Sequence, residues 1–133
     1  MSVFALDSNI VSFYLKGNVN VIENIEKAIA EEHSIVITPI AYYEVKRGLL
    51  LINAEKQIKK FEDFCGLFQV GEFGDYLLED AISIYVNERK ENRNIEDADI
   101  FIAAFCLYND YILVTDNTKH FSNINGLHTV NWR

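Results

Sequence analysis

Short, almost purely apolar runs alternate along this chain with longer segments of helical periodicity, and this alternation constrains the fold more than any other feature. Residues 2–6, 34–37, 111–115 and 127–131 predict strands, and 67–70 is a candidate for a further short one. The segments between them carry apolar residues every three or four positions, as amphipathic helices do. Strands that alternate with helices form a parallel sheet covered on both faces. We therefore predict an α/β fold with a central parallel sheet.

Local signals predict several helix boundaries. Thr38 and Pro39 predict a helix start, because a hydroxyl residue caps free N–H groups and proline fits the first helical position. Ser8 or Asn9 is expected to cap the first helix. The helix predicted from residue 97 to 108 is apolar nearly all round, so we expect it to lie centrally in the fold.

Size and composition indicate a single globular domain spanning residues 1–133. The chain is 50% hydrophobic, contains one proline and six glycines, and has no stretch that resembles a linker. Its two cysteines lack metal-ligand spacing and fit a reduced protein. No apolar run reaches the length of a membrane span. We therefore expect a soluble cytoplasmic protein without membrane association.

The chain carries a net charge of −8. This charge argues against strong non-specific binding of nucleic acid. It does not exclude a nuclease whose acidic groups are neutralised by a metal ion or a partner.

Four acidic residues occur where a surface carboxylate is not expected. Asp7 and Asp116 each follow an apolar run, Asp99 leads into an uncharged stretch, and Glu44 lies in an apolar helix. Ligand sites of parallel sheets form beyond the carboxyl ends of the strands, and the predicted fold brings all four acids to that edge. Converging carboxylates are typical ligands of Mg²⁺. The combination predicts a metal-dependent enzyme, whereas each acid alone also fits a helix cap, a turn or a solvated side chain.

Other kinds of catalytic site have weaker support. His33, His120 and His128 are far apart in the sequence and in unrelated contexts. A histidine is more often exposed or hydrogen-bonded within the protein than bound to a metal ion. An Asp-nucleophile phosphatase would need a second Asp two residues after Asp7, where the chain has Asn9. The remaining alternative is a metal-binding or protein-binding module that has lost catalysis, and the intact set of acids argues against it.

Four segments in order resemble the PIN-domain ribonucleases, and within them the VapC toxins of toxin–antitoxin pairs. The segments are LDSN at 6–9, IAYYEVKRG at 40–48, DADIFIAA at 97–104 and LVTDN at 113–117. The ending from His120 and Phe121 to Trp132 is also similar to the family's last third. The resemblance implies a Rossmann-like parallel sheet, Mg²⁺ or Mn²⁺ as cofactor, and cleavage of RNA.

The resemblance also implies roles for particular residues. Asp7 and Asp99 would be the principal metal ligands, with Glu44 and Asp116 completing the acidic pocket. Asn9 and Thr115 would support the pocket through hydrogen bonds. Many relatives have Asn or Arg where this chain has Asp116, so the resemblance supports metal binding by Asp116 less than by the other three acids. A cognate antitoxin would cover the pocket, and the protein would form a homodimer.

Two further assignments concern charged residues near the predicted pocket. The basic residues Lys46, Arg47, Arg89 and Arg93 are predicted to contact RNA phosphates, because their clusters adjoin Glu44 and the helix of Asp99. Residues two apart on a helix point about 200° apart, so Asp97 and Asp99 are not expected to bind one metal ion together. We predict that Asp99 is the ligand, that Asp97 caps the helix, and that Glu96 is a solvated charge.

Overall fold

The computed structural model describes all 133 residues, from Met1 to Arg133. The five strands are β1 (Val3–Leu6), β2 (Ser34–Ile37), β3 (Gln69–Val70), β4 (Ile112–Val114) and β5 (Thr129–Val130). The seven α-helices are α1 (Ser8–Leu15), α2 (Val19–Ala30), α3 (Pro39–Leu51), α4 (Glu55–Leu67), α5 (Leu78–Lys90), α6 (Asp97–Asn109) and α7 (Thr118–Phe121). A short 3-10 turn, Asp75–Leu77, precedes α5.

The strands form one sheet in the order β3-β2-β1-β4-β5, and every pairing is parallel. This confirms the predicted α/β architecture and the candidate strand at 67–70. Leu6 aligns with Ile37 on one side and with Val114 on the other. The three central strands therefore end at the same level, and the residues that follow them share one edge of the sheet.

Two apolar layers cover the two faces of this sheet. Alternate strand residues point to opposite faces: Leu6 and Val114 pack with α1 to α4, whereas Ala5 and Leu113 pack with α5 and α6. Helix α6 buries six of its 13 residues, more than any other helix, as its apolar sequence predicted. None of the helices combines the length and the apolar composition that crossing a bilayer requires.

The helix starts agree with the prediction at α3 but not at α1 or α6. The Thr38 hydroxyl accepts a hydrogen bond from the Ala41 N–H at 3.2 Å, as predicted. The cap of α1 is Asp7 rather than Ser8 or Asn9, because the Asp7 carboxylate accepts from the Ser8 N–H. The predicted cap at Asp97 is wrong, since α6 is preceded by Glu96 and has no side-chain cap.

Candidate active site

A cleft of about 480 Å³ lies at the edge of the sheet where the central strands end. It is lined by three of the four predicted acids, Asp7, Glu44 and Asp99. Asp7 directly follows β1, Glu44 lies on the helix after β2, and Asp99 lies in the first turn of α6. The parallel topology therefore brings together carboxylates that are up to 92 positions apart in the chain.

Asp7 is the most deeply buried of these acids, with only 4% of its surface exposed. One carboxylate oxygen accepts from the Ser8 N–H at 2.7 Å, and the other accepts from the Thr115 hydroxyl at 2.8 Å. Burial raises the pKa of Asp7, while these two hydrogen bonds lower it and only partly offset the effect. Asp7 thus has a fixed orientation and an incompletely compensated negative charge.

Asn9 and Thr115 connect the start of α1 to the chain beyond β4. The Asn9 side chain accepts from the Asp116 N–H at 3.1 Å, and its amide nitrogen lies 3.5 Å from the Thr115 hydroxyl oxygen. That hydroxyl also accepts from the Asn117 N–H at 3.1 Å. The two residues make the kind of contacts predicted for them, since they hold Asp7 and the 115–117 segment in one arrangement.

Asp99 is half-buried and lies beside a histidine for which no role was predicted. Burial raises the pKa of Asp99, and the charge of Asp7 raises it further, whereas His120 lowers it. The His120 Nδ1 atom lies 3.5 Å from an Asp99 carboxylate oxygen, and the imidazole is 62% exposed in the cleft. The three histidines are far apart from one another in the sequence, and this spacing concealed the contact with Asp99 that the short helix α7 creates.

The structure does not bring the Asp116 carboxylate into the cleft. One of its oxygens accepts from the Asn131 side chain at 3.1 Å, and the other lies 3.3 Å from the Arg133 guanidinium. Glu96 is exposed, as predicted, and it also lines the cleft. Its charge contributes to the raised pKa of Asp99. The cleft therefore contains four acids, but Glu96 replaces Asp116 among them.

The predicted RNA-contacting cations fall into two groups. Arg93 forms two contacts of 3.1 Å with the buried carboxylate of Glu88, and Lys46 donates to the Tyr42 hydroxyl at 2.9 Å. Arg47 and Arg89 form no salt bridge. The larger groove beside Arg93, of about 560 Å³, contains the already neutralised Glu88 and lacks the three predicted acids. The candidate active site is therefore the smaller, acidic cleft.

The acidic cleft is chemically suited to a magnesium ion without forming a complete cage for one. No group of three or more His, Cys, Asp and Glu side chains has a metal-binding arrangement. Protein-bound Mg²⁺ usually keeps several waters and binds one or two carboxylates. Asp7 and Asp99 fit this requirement, because both line the cleft and the charge of one raises the pKa of the other. A cation between them would relieve that repulsion.

Comparison with known proteins agrees with this fold. Residues 4–127 match the family model of the PIN domain. The chain belongs to the PIN-domain family. This PIN domain is 24% identical to Ribonuclease VapC1 of Haemophilus influenzae strain R2866, over 98% of both chains.

Solved structures show the same fold. The PIN domain superposes with a TM-score of 0.91 on a chain of VapBC2 from Rickettsia felis, solved bound to a promoter DNA fragment. The two chains are 22% identical over 98% of this chain and 99% of the other. A chain of DNA-bound VapBC from Salmonella typhimurium gives a TM-score of 0.88 at 20% identity, with both chains covered completely. The predicted PIN fold is thus confirmed.

Proposed function

We propose that this PIN domain is a Mg²⁺- or Mn²⁺-dependent endoribonuclease and the toxin of a toxin–antitoxin pair. The observation that carries the proposal is the convergence of Asp7, Glu44 and Asp99 in one cleft beyond the sheet. The names of its relatives, Ribonuclease VapC1 and VapBC, point to the same activity. Hydrolysis of a phosphodiester requires an activated water and neutralisation of charge on the phosphate. A carboxylate-held divalent ion supplies both.

The side chains of the cleft divide this task among them. Asp7 and Asp99 would hold the metal ion, and Thr115 keeps the Asp7 carboxylate in one orientation. When bound, Mg²⁺ would lower the pKa of a bound water and neutralise a phosphate oxygen. Glu44 lines the same cleft and forms no salt bridge. Its carboxylate is therefore available to orient the attacking water or to accept its proton.

Cleavage of labelled RNA by the purified protein tests this function. We expect cleavage with Mg²⁺ or Mn²⁺ and none with a chelator. Asp99→Asn should reduce the rate by more than the roughly 10–100-fold that is typical of residues outside the metal's own ligands. Inducing the wild-type protein in cells should stop growth, and Asp99→Asn should restore it.

Asp97→Asn is the matched control for this experiment. Asp97 lies in the same turn of α6, is exposed, and does not line the cleft. The Asp97→Asn protein should cleave RNA and stop growth as the wild type does. Equal loss of activity in both variants would mean that the charge of the helix terminus matters rather than the cleft. Cleavage that persists in Asp99→Asn would favour a non-catalytic role for the cleft.

The proposed partner is a cognate antitoxin that covers the cleft with a cationic segment. Four acidic side chains line the cleft of a protein whose net charge is −8, so a lysine or arginine of a partner would be attracted there. We expect complex formation to weaken as salt increases and to abolish RNA cleavage. A complex that leaves cleavage intact would place the antitoxin elsewhere.

Homodimer formation, which the VapC resemblance implies, is testable by sedimentation of the isolated protein.

A further inference from the structure

Two exposed tyrosines carry an arginine over their rings. The Arg47 guanidinium lies 4.7 Å from the centre of the Tyr43 ring on α3, and the Arg89 guanidinium lies 5.6 Å from that of Tyr85 on α5. Tyr43 is 58% exposed and Tyr85 is 45% exposed. Neither arginine forms a salt bridge, and both belong to the predicted RNA-contacting cations. Each pair thus combines an exposed aromatic ring with a charge that no carboxylate neutralises.

Each pair is linked to the acidic cleft through one residue that lines it. Tyr43 immediately precedes Glu44, which lines the cleft. Arg89 donates to the Asn94 side-chain oxygen at 2.7 Å, and Asn94 also lines the cleft. Helix α3 packs against one face of the sheet and α5 against the other. The two Tyr–Arg pairs therefore lie on helices that cover opposite faces of the sheet, and each pair is next to a cleft residue, Glu44 in sequence or Asn94 through a hydrogen bond.

An aromatic ring beside an arginine is suited to hold an unpaired nucleotide. The ring stacks on a base and the guanidinium contacts the adjoining phosphate, whereas the bases of a duplex are already stacked on one another. Because the chain as a whole repels RNA, cations without a carboxylate partner provide the complementary charge. We propose that Tyr43–Arg47 and Tyr85–Arg89 hold unpaired RNA beside the cleft. This inference rests on the proposed nuclease function and assigns its substrate-holding residues.

The same pairs have a purely structural explanation, which an experiment must separate from the proposal. Side chains four residues apart on a helix often stabilise it by packing together. In that case a tyrosine substitution would change stability and leave RNA binding unaltered. The two explanations therefore predict different results in a binding assay.

Fluorescence anisotropy of a labelled single-stranded RNA with the wild-type protein tests the proposal. A chelator is added to prevent cleavage, so that only binding is measured. The same RNA annealed to its complement should bind at least about tenfold more weakly. Tyr43→Leu and Tyr85→Leu should each weaken single-strand binding by about tenfold, whereas Tyr43→Phe should bind as the wild type does. Arg47→Met and Arg89→Met should each flatten the slope of log affinity against log salt by roughly 0.7.

Tyr108→Leu is the matched control. Tyr108 is 57% exposed and contacts Tyr76 rather than an arginine, and it lies at the end of α6 remote from Asp99. The Tyr108→Leu substitution should leave RNA binding unchanged. The proposal would be overturned if the protein bound single strand and duplex equally, or if it did not detectably bind the single strand. Unaltered binding by both leucine variants would also overturn it. Selective loss of antitoxin binding in those variants, with RNA binding intact, would assign the surface to protein and also overturn it. Because binding is read without cleavage, an inactive protein that binds as expected would refute only the nuclease function.

Discussion

Replacing Thr115 by valine should destabilise the protein mainly through the charge of Asp7. The Thr115 side chain is fully buried, and its hydroxyl donates to Asp7 at 2.8 Å and accepts from the Asn117 N–H at 3.1 Å. Valine has nearly the same shape but leaves both groups without this partner. A hydrogen bond to a charged group contributes about 1.5–3 kcal/mol. We therefore expect a loss of about 2–3 kcal/mol at neutral pH, or roughly 8–12 °C in Tm for a domain of this size.

The pH dependence of this loss identifies its origin. The Thr115 hydrogen bond lowers the pKa of Asp7 against the larger effect of burial, so removing it raises that pKa further. The hydrogen bond therefore stabilises the folded state when Asp7 is ionised. Its contribution should be complete at neutral pH and should decrease as the pH falls through the raised pKa of Asp7. Urea denaturation at a series of pH values measures this directly.

Two variants separate the hydrogen bond from simple packing. Thr115→Ser keeps the hydroxyl and loses one buried methyl group, so its cost of about 0.8 kcal/mol should not depend on pH. In an Asp7→Asn background, Thr115→Val should cost about 1 kcal/mol less than in the wild type, because the charge is absent. If Thr115→Val costs the same at every pH and in both backgrounds, the hydroxyl does not act through the Asp7 charge.

Three further predictions concern stability. Gly48→Ala should stabilise the protein by about 1 kcal/mol in urea denaturation, because Gly48 lies inside α3 with nothing near an added Cβ. Gly71→Ala should instead destabilise it, since an added Cβ would collide with the Phe105 ring. Arg93→Met should lower Tm by several degrees because it leaves the buried Glu88 carboxylate unpaired. Arg89→Met breaks no salt bridge and loses only an exposed hydrogen bond to Asn94, so it should lower Tm much less. Equal effects of the two arginine variants would contradict a structural role for Arg93.

The positions of Asp7, Glu44 and Asp99 follow from features that a sequence displays locally. Asp7 ends an apolar run, Glu44 follows the helix start at Thr38 and Pro39, and Asp99 begins an apolar helix. Once the strands are parallel, the order of elements alone brings these residues to one edge. The fold and the greater part of the cleft could therefore be predicted without knowing any side-chain orientation.

The assignments that differ from the structure depend on individual side-chain partners. Asp116 follows a central strand as predicted, but Asn131 and Arg133 hold its carboxylate outside the cleft. Arg93, which was predicted to contact RNA, also pairs with the buried Glu88, a partner that the prediction did not name. Such pairings depend on which polar groups become buried together, because an unpaired buried charge is costly. Residue spacing carries no information about that choice.

The cap of α1 was misassigned for a related reason. The prediction gave the cap to Ser8 or Asn9 and considered a cap at Asp7 only as an alternative to metal binding. In the structure one Asp7 oxygen accepts from the Ser8 N–H while the other accepts from Thr115. The first bond positions the carboxylate at the strand end, where a metal ion would bind. The two roles therefore support each other.

Convergence of acids at this edge should reduce stability in the absence of metal, and this is testable on Asp99. Burial and the charge of Asp7 raise the pKa of Asp99 above its ordinary value of 3.8, so the ionised group opposes folding. The destabilisation is absent below that ordinary pKa and grows as the pH rises through the raised one. In a chelator, Asp99→Asn should therefore have a higher Tm than the wild type at neutral pH, and this gain should disappear in acid. The exposed Asp97→Asn should show neither effect.

Adding metal should reverse that order. Mn²⁺ at a hundred times its dissociation constant should stabilise the wild type by about 2.7 kcal/mol, because the ion neutralises the opposed carboxylates. Asp99→Asn should gain far less, while Asp97→Asn should gain as much as the wild type. Equal metal-induced shifts in all three proteins would show that the ion binds outside the cleft. If Asp99→Asn is less stable than the wild type in the chelator, the contact of the wild-type Asp99 with His120 outweighs its repulsion from Asp7.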